Sequence, residues 1–406
     1  MHDVIVVGGG PPGCLTAALL ARQGLDVQLF EEHHAIGEPV DCTGIVGVEA
    51  FKALAVPSGI KLGEIRSVTF VSPANLEVRF SPPSPLACVI DRSAFDRVIA
   101  QRARAAGVSF HLGARVRGLA VREDGVEVVV ADGGKGRAAK DSGHRRLKAA
   151  MVILAGGPHY QFQQKLGMGR PKDFLRTAQA EARVRALDET RILLGSRVAP
   201  QSFAWVVPFE KGGKKLARIG VTTKGSGRPY LRVILKQLHA DGHIDSPDLP
   251  IRSWLIPISP LPRTYSDRVL AVGDAAGQVK PTTGGGIYYG LICAEAASKV
   301  AAAAFSRSNF SAAFLARYER EWRKKLGAEL RMGSFFRHMA EQLDDREIDE
   351  LVRVVQSDGI LSAGQSKFRF DWHMEIIRFA LRHPMLGRVF RKKLSGKLRA
   401  GPEILE

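Results

Sequence analysis

At 406 residues, 45% of them hydrophobic and 25% charged, the chain is too long for one simple core and reads as a globular protein of two or three domains. No apolar run reaches bilayer-spanning length, the first strand starts too early for a signal peptide, and the four cysteines (Cys14, Cys42, Cys88, Cys293) form no C-x-x-C pair, which argues against zinc or cysteine-ligated clusters. The net charge of +18 favours anionic partners, an acidic lipid surface or an acidic electron-transfer protein; no nucleic-acid motif accompanies it. The expectation is a cytoplasmic protein with reduced thiols, no metal and no nucleic-acid partner.

The first elements are the most informative. Asp3-Val4-Ile5-Val6-Val7 reads as a buried strand, Gly8-Gly9-Gly10-Pro11-Pro12-Gly13 as a tight turn, residues 14–23 as an Ala/Leu-rich helix, and Val27-Gln28-Leu29-Phe30 as a second strand ending on Glu31. G-x-G-x-x-G between strand and helix, followed by an acid about twenty residues on, is the pattern of a dinucleotide-binding βαβ unit. Gly8 permits the turn, Gly10 lets backbone N–H groups approach a pyrophosphate, Gly13 lets helix pack on strand, and Glu31 can accept ribose hydroxyls.

Residues 33–39 form a loop, and residues 45–56 read as helical. Short alternating stretches at 67–71, 76–80 and 87–90 suggest a small sheet insertion. A helix follows Asp91 and runs to about residue 106. Strands are expected at 108–112, 116–121 and 126–130, and the polar stretch 132–148 is expected to be a solvated hairpin tip. Met151-Val152-Ile153-Leu154-Ala155 returns to the first sheet. Strands at 178–185, 191–198, 203–208 and 216–223, without interleaved helices, predict an antiparallel sheet in a second domain. A helix is expected near 230–240, and residues beyond 294 read as helical and charged.

A second nucleotide signature lies far downstream. Val269-Leu270-Ala271-Val272 leads into Gly273-Asp274-Ala275-Ala276-Gly277, and Gly284-Gly285-Gly286 opens a helix at Ile287. Asp274 at the carboxyl edge of a sheet can bind a polyol. The glycine triplet turns backbone N–H groups toward an electron-rich ring or oxyanion. Two such segments suit opposite parts of one long cofactor.

Together these motifs resemble the flavoprotein monooxygenase-type FAD-binding fold. Within it, Pro39-Val40-Asp41-Cys42-Thr43-Gly44 matches the P-x-x-C-x-G motif of the geranylgeranyl reductase family, and Phe203-Ala204-Trp205-Val206-Val207-Pro208 is similar to that family's Y-x-W-x-F-P motif. The resemblance covers roughly residues 1–310. It implies an α/β protein: a Rossmann-like FAD-binding domain (1–64, 88–160 and 262–308), an inserted antiparallel-sheet α+β substrate domain (65–87 and 161–261) and a C-terminal helical region (309–406). There are departures. The family's G-x-G after W-x-F-P is here Gly220-Val221-Thr222, and the Asp-Gly pair of hydroxylase relatives is Gly156-Gly157, which leaves the electron donor open between NAD(P)H and a ferredoxin-type protein.

The activity implied is FAD-dependent reduction of isolated C=C bonds in a polyprenyl chain on a lipid, quinone or pigment precursor. The alternative is a flavin monooxygenase-type hydroxylase or another FAD-dependent dehydrogenase acting on a small apolar substrate. The cofactor-binding candidates are Gly8, Gly10, Gly13, Glu31, Arg92, Val116, Asp274, Gly277, Gly284, Gly285 and Gly286. Cys42 is the candidate that positions or protonates the alkene; the alternative is a small buried hydrophobe. Gly44, Phe203 and Trp205 are the substrate-binding candidates, with Tyr288 and Tyr289 as further residues in reach. The basic, apolar-interleaved tail from residue 376 suggests a peripheral helix on anionic lipid at the inner face of the membrane.

Overall fold

Four consecutive β-branched residues, Val4 to Val7, make β1 (His2–Val7) a strand fit for burial on both faces, and Val4, Ile5 and Val6 are fully buried. The computed structural model describes residues 1–133, 144–185, 187–357, 359–365 and 367–394. The chain divides into two compact units: residues 1–40, 92–173 and 257–328 form the first, and residues 41–91, 174–256 and 329–406 the second.

In the first unit β1 lies inside a mainly parallel sheet. Its path is β17 (Tyr265–Ser266), β18 (Val269–Ala271), β11 (His144–Leu154), β1, β2 (Val27–Glu31), β8 (Ser109–Leu112). The pairs β1–β2, β1–β11, β2–β8 and β11–β18 are parallel, so the carboxyl ends of β1, β2, β11 and β18 come to one edge, the ligand edge of such sheets. Helix α1 (Pro11–Ala21) packs against α3 (Arg92–Ala105) and α6 (Ile287–Ser306). α4 (Gln161–Lys165) and residues 312–328 of α7 (Ala312–Ala340) complete the unit.

β9 (Ala114–Arg122) and β10 (Gly125–Asp132) form an antiparallel ribbon on β11. Here the expected hairpin tip at 132–148 is corrected: β11 already starts at His144, paired with Ala131, and Arg145 forms a two-bonded ion pair with Asp132 at 2.8 Å. A ribbon with its end in water needs no apolar alternation, so polarity gave no sign of it. Residues 134–143 of that stretch lie outside the described residues.

The second unit holds a seven-stranded sheet in the order β16 (Leu255–Pro257), β12 (Phe174–Arg183), β15 (Lys214–Thr223), β14 (Phe203–Lys211), β13 (Thr190–Leu194), β5 (Val68–Val71), β6 (Glu77–Phe80). Period-two patterning assigns its faces. Ala178, Ala180, Ala204, Val206, Ile219 and Val221 pack with Leu231, Ile234 and Leu235 of α5 (Arg228–Ala240). Trp205, Val207 and Phe209 face the other way, onto Ile65, Leu86 and Val89. Ile65 and Val89 belong to a three-stranded sheet, β3 (Ile45–Gly47), β7 (Ala87–Ile90), β4 (Lys61–Ile65), and Leu86 immediately precedes β7.

The expected antiparallel sheet is present with one exception, since β13 pairs with β5 in parallel. The 67–80 hairpin therefore extends the large sheet through β5. Residues 45–56 are not one helix: Ile45 and Val46 pair with β7, and only α2 (Val48–Ala53) is helical before Pro57. Residues 41–64 and 88–91, expected with the nucleotide unit, group with the second unit, where β3, β7 and β4 pair into one sheet, while 161–173 and 257–261, expected with the sheet domain, group with the first. Residues beyond 308 form the expected helical region, but it is divided between the units: 309–328 group with the first and the rest with the second.

The remaining helices are α8 (Asp345–Ser357), α9 (Ile360–Gln365), α10 (Met374–Arg382) and α11 (Pro384–Leu394). Their apolar sides turn inward: Ile377, Leu386, Val389 and Phe390 are buried, and Met385 is exposed at 42%. The apolar side of the tail through residue 390 is therefore covered by protein, and residues 395–406 lie outside the described residues. Among the described residues no helix is long and apolar enough to cross a membrane.

Candidate functional site

The first unit assembles the two glycine motifs on neighbouring strands. Gly8 ends β1 at φ +106°, and a Cβ there would stand 2.4 Å from the Ala155 carbonyl oxygen at the end of β11. Only glycine holds that conformation without strain. A Cβ on Gly13 would stand 2.2 Å from the Gly8 carbonyl oxygen, so the close approach of helix and turn depends on its absence. Beside Gly10, by contrast, a Cβ would meet nothing within 4 Å. α1 starts behind Gly10 without a side-chain cap, so its positive end is open to an anion.

Glu31 closes the turn: its carboxylate accepts the Gly9 N–H at 2.7 Å and the His33 N–H at 2.9 Å. A carboxylate has about four acceptor positions, which leaves capacity for ribose hydroxyls. The His33 ring nitrogen lies 2.6 Å from the same carboxylate and helps fix it. Cys14 is fully buried, and its thiol donates to the Gly9 carbonyl at 3.2 Å. Burial pushes that thiol well above its usual range, so it acts as a packing residue.

The downstream motif is held by residues the sequence reading did not select. The Gln278 side chain accepts the Gly273 N–H at 2.8 Å and donates to the Tyr318 hydroxyl at 2.8 Å; that hydroxyl donates to the Ala271 carbonyl at 2.9 Å. Tyr160 donates to the Asp274 carbonyl at 2.7 Å, and Gln163 to the Ala275 carbonyl at 2.9 Å. All of these bonds except the one between Gln278 and Tyr318 grip backbone. They fix the turn and leave the Asp274 carboxylate to the ligand edge, beside Gly286, where a Cβ would stand 2.8 Å from Oδ1. Burial raises the Asp274 carboxyl, opposed by the Arg92 charge.

Gly277 takes φ +67° against the Ser259 carbonyl, and Gly284 takes φ +74°. Gly285 lies against the Lys280 side chain, and α6 begins after Gly286 without a side-chain cap. Pro12 is where the motifs touch: a Cβ on Gly273 would stand 2.9 Å from its Cγ, and one on Gly290 2.7 Å.

The other candidates fall differently. Arg92 is held by Asp96 in a two-bonded ion pair at 2.9 Å, with its side chain 14% exposed. Val116 is buried in β9. Tyr289 is buried at 2% exposure and is a core residue, while Tyr288 is half-buried.

These residues fit FAD. Two uncapped helix starts, a glycine cradle open at Gly10, and acids at Glu31 and Asp274 line one edge, which suits a long, anionic, polyhydroxylated cofactor.

The second unit presents the other candidates on one face of its large sheet. Trp205 and Gly220 are directly opposed across β14 and β15, and the indole covers the bare glycine: a Cβ there would stand 2.3 Å from Cζ2. Phe203 lies beside it, with ring centroids 5.9 Å apart. The indole Nε1 is buried and has no hydrogen-bond partner among the described residues. Thr222, standing where the family's second glycine is expected, bonds to the Ser202 hydroxyl and to the Phe203 carbonyl at 3.3 Å.

Cys42 is the one cysteine of the four that is not buried. Its sulfur accepts the Gly44 N–H at 3.3 Å, and Thr43 donates to the Gln179 side chain at 2.7 Å. Gln179 on β12 and Arg218 on β15, both missed from sequence, come from the same sheet face as Trp205. Period-two alternation would have placed them there, since their sequence neighbours Ala178, Ala180, Ala217 and Ile219 all face α5.

Comparison with known proteins agrees with this geometry. Residues 1–326 match the FAD binding domain family. The chain is 31% identical over 403 residues to digeranylgeranylglycerophospholipid reductase 2 of Methanothermobacter thermautotrophicus, covering 96% of this chain and 99% of the relative. It is 29% identical over 404 residues to digeranylgeranylglycerophospholipid reductase of Methanocaldococcus jannaschii, covering 97% and 98%. Among solved structures, a geranylgeranyl bacteriochlorophyll reductase-like protein from Thermoplasma acidophilum superposes with a TM-score of 0.82 at 21% identity, over 97% of this chain and 98% of that one. The chain is thus an FAD-dependent oxidoreductase of the geranylgeranyl reductase family.

Proposed function

We propose that this protein reduces isolated C=C bonds of a geranylgeranyl-type polyprenyl chain carried on a lipid. The observation that carries the reading is the sheet face of the second unit. There Phe203 and Trp205 lie over bare Gly220 on β14 and β15, and the loop that carries the half-buried Cys42 sulfur is bonded to β12 through Thr43 and Gln179. The names of the relatives, digeranylgeranylglycerophospholipid reductases, support the same substrate class.

An isolated alkene has no carbonyl to activate it, so hydride delivery must be matched by a nearby proton. When bound, reduced FAD supplies the hydride. The chain's own residues do the rest. Gly8, Gly10, Gly13 and Glu31 bind the adenine and pyrophosphate half, with Val116 beside them. Asp274, Gly277 and the Gly284–Gly286 turn hold the flavin half, and Arg92 adds a fixed charge. Phe203, Trp205 and Gly44 orient the chain and exclude water, and Cys42 delivers or steers the proton at Sγ. Electrons come from NAD(P)H or a ferredoxin-type donor. The excess of basic residues draws the protein to anionic lipid by charge.

The test loads the protein with FAD, reduces it with dithionite and supplies a digeranylgeranyl lipid. The products are read by mass spectrometry as additions of two hydrogens per bond. Cys42→Ala is expected to retain FAD and lose product. Full turnover by that variant removes Cys42 from the chemistry. Absence of any saturated product from the unmodified protein, with rapid oxygen uptake on NADPH, would replace the reductase reading with a monooxygenase one.

A further inference from the structure

The Cys42 loop is held by a buried cation. Arg218, in the middle of β15, is 6% exposed, and its Nη1 donates to the Thr43 carbonyl at 2.6 Å and to the Ile90 carbonyl at 3.1 Å. Those two bonds tie the turn around the thiol to the end of β7. The guanidinium carbon lies 4.6 Å over the Phe209 ring. Its nearest acid, Glu181 on β12, stands 3.6 Å away and is half in water at 49% exposure.

Burying a guanidinium is costly when no buried acid neutralises it, and burial lowers its proton affinity here. The groups coupled to it electrostatically that offset this are Glu181 first, then Cys42 and Asp91. An apolar side chain would fill the same place on the sheet without that cost. The charge therefore has a use that packing does not explain, and the group nearest in chemical interest is the Cys42 sulfur.

We propose that Arg218 is a positioning residue for Cys42, fixing the turn through the Thr43 carbonyl and setting a permanent positive charge beside the sulfur. This rests on the reading that Cys42 faces the substrate. The fork of the guanidinium matters as well as its charge, because a lysine ammonium is a point donor without fixed geometry. The other charged groups facing the turn are Glu181, Asp91 paired with Lys211 at 2.9 Å, and Asp41 paired with Arg252 at 3.5 Å.

Alkylation of Cys42 in the FAD-loaded protein separates these roles, read on the Cys42 peptide by mass spectrometry. A positive charge beside the sulfur favours anionic iodoacetate over neutral iodoacetamide. Even under full water screening, unit charges roughly 6 Å apart change such a ratio about threefold. Arg218→Gln is expected to lower the iodoacetate-to-iodoacetamide rate ratio at least about threefold. Arg218→Lys keeps the ratio but lowers kcat for the prenyl lipid, with KM unchanged.

Glu181→Gln, at a half-exposed position that folding tolerates, is expected to raise the ratio; it serves if Arg218→Gln does not fold. A ratio unmoved by either Arg218→Gln or Glu181→Gln overturns the proposal. If the ratio shifts as expected but Cys42→Ala keeps full turnover, Arg218 still positions the thiol and only the chemical role of Cys42 fails. If the ratio is unmoved and Cys42→Ala abolishes turnover, Arg218 has no such role and the role of Cys42 stands.

Discussion

Gly220→Ala tests whether the aromatic face of the second unit is built as the structure has it. The new methyl would stand 2.3 Å from Cζ2 and 2.5 Å from Cε2 of Trp205. Carbon atoms in contact prefer about 3.5–4.0 Å, so the indole has to move by about 1 Å or more. It has little room, being 6% exposed and packed beside Phe203 and Phe209. Overpacking of this kind costs about 1–3 kcal/mol. No hydrogen bond is lost in the movement, because Nε1 has no partner among the described residues, so the whole cost is packing. Trp205→Phe removes the struck atoms and leaves a small void, at about 1–2 kcal/mol. In the double variant the methyl meets no ring atom at that place, and the two changes should compensate by about 1–2 kcal/mol. Urea unfolding of the four FAD-loaded forms, with m compared across them, measures this. Costs that add to within about 0.5 kcal/mol would show that the indole does not lie over Gly220.

Three further outcomes are expected. Gly13→Ala drives a methyl to 2.2 Å from the Gly8 carbonyl, a backbone atom that cannot turn away. A strain of about 1–3 kcal/mol should weaken FAD binding roughly 5- to 150-fold, as a titration of the apoprotein would read. Tyr318→Phe leaves both the Ala271 carbonyl and the Gln278 amide without their buried partner, at about 1–3 kcal/mol for each group. A loss below about 0.5 kcal/mol in urea would contradict the gripping role. The Asp274 carboxyl is raised by burial, so the folded chain binds this proton more tightly than the unfolded one. Its contribution is present below the usual carboxylate range and is lost as pH rises through the raised value. Asp274→Asn should therefore flatten the fall in stability of the FAD-free protein above that range. An unchanged slope would refute it.

The first nucleotide motif was legible because its physics is local. β1, the Gly8 turn, α1 and β2 follow one another without interruption, and Glu31 reaches back only to Gly9. The downstream motif was legible for the same reason, since Asp274 and Gly286 lie within one turn of chain. What holds that motif was not. Gln163 meets Ala275 across 112 residues, and Tyr160 meets Asp274 across 114. An isolated Gln or Tyr in sequence gives no sign of such a partner. The 45–56 stretch was misread because helical composition in α2 masked Ile45 and Val46, whose partner β7 lies some forty residues on.

The substrate face divides in the same way. Sequence alone determined which residues share a side of β14 and β15, because alternation in a strand is obligatory. By that rule Arg218 shares a face with Gly220 and Thr222, and a charged residue opposite an apolar row ordinarily reads as facing water. Only the tertiary structure decided otherwise. The three-stranded sheet packs onto that face, and the Thr43 and Ile90 carbonyls, brought from 175 and 128 residues away, bond the guanidinium. Strand period fixes the side on which a residue lies; what covers that side depends on contacts between distant segments, and those are made only when the chain folds.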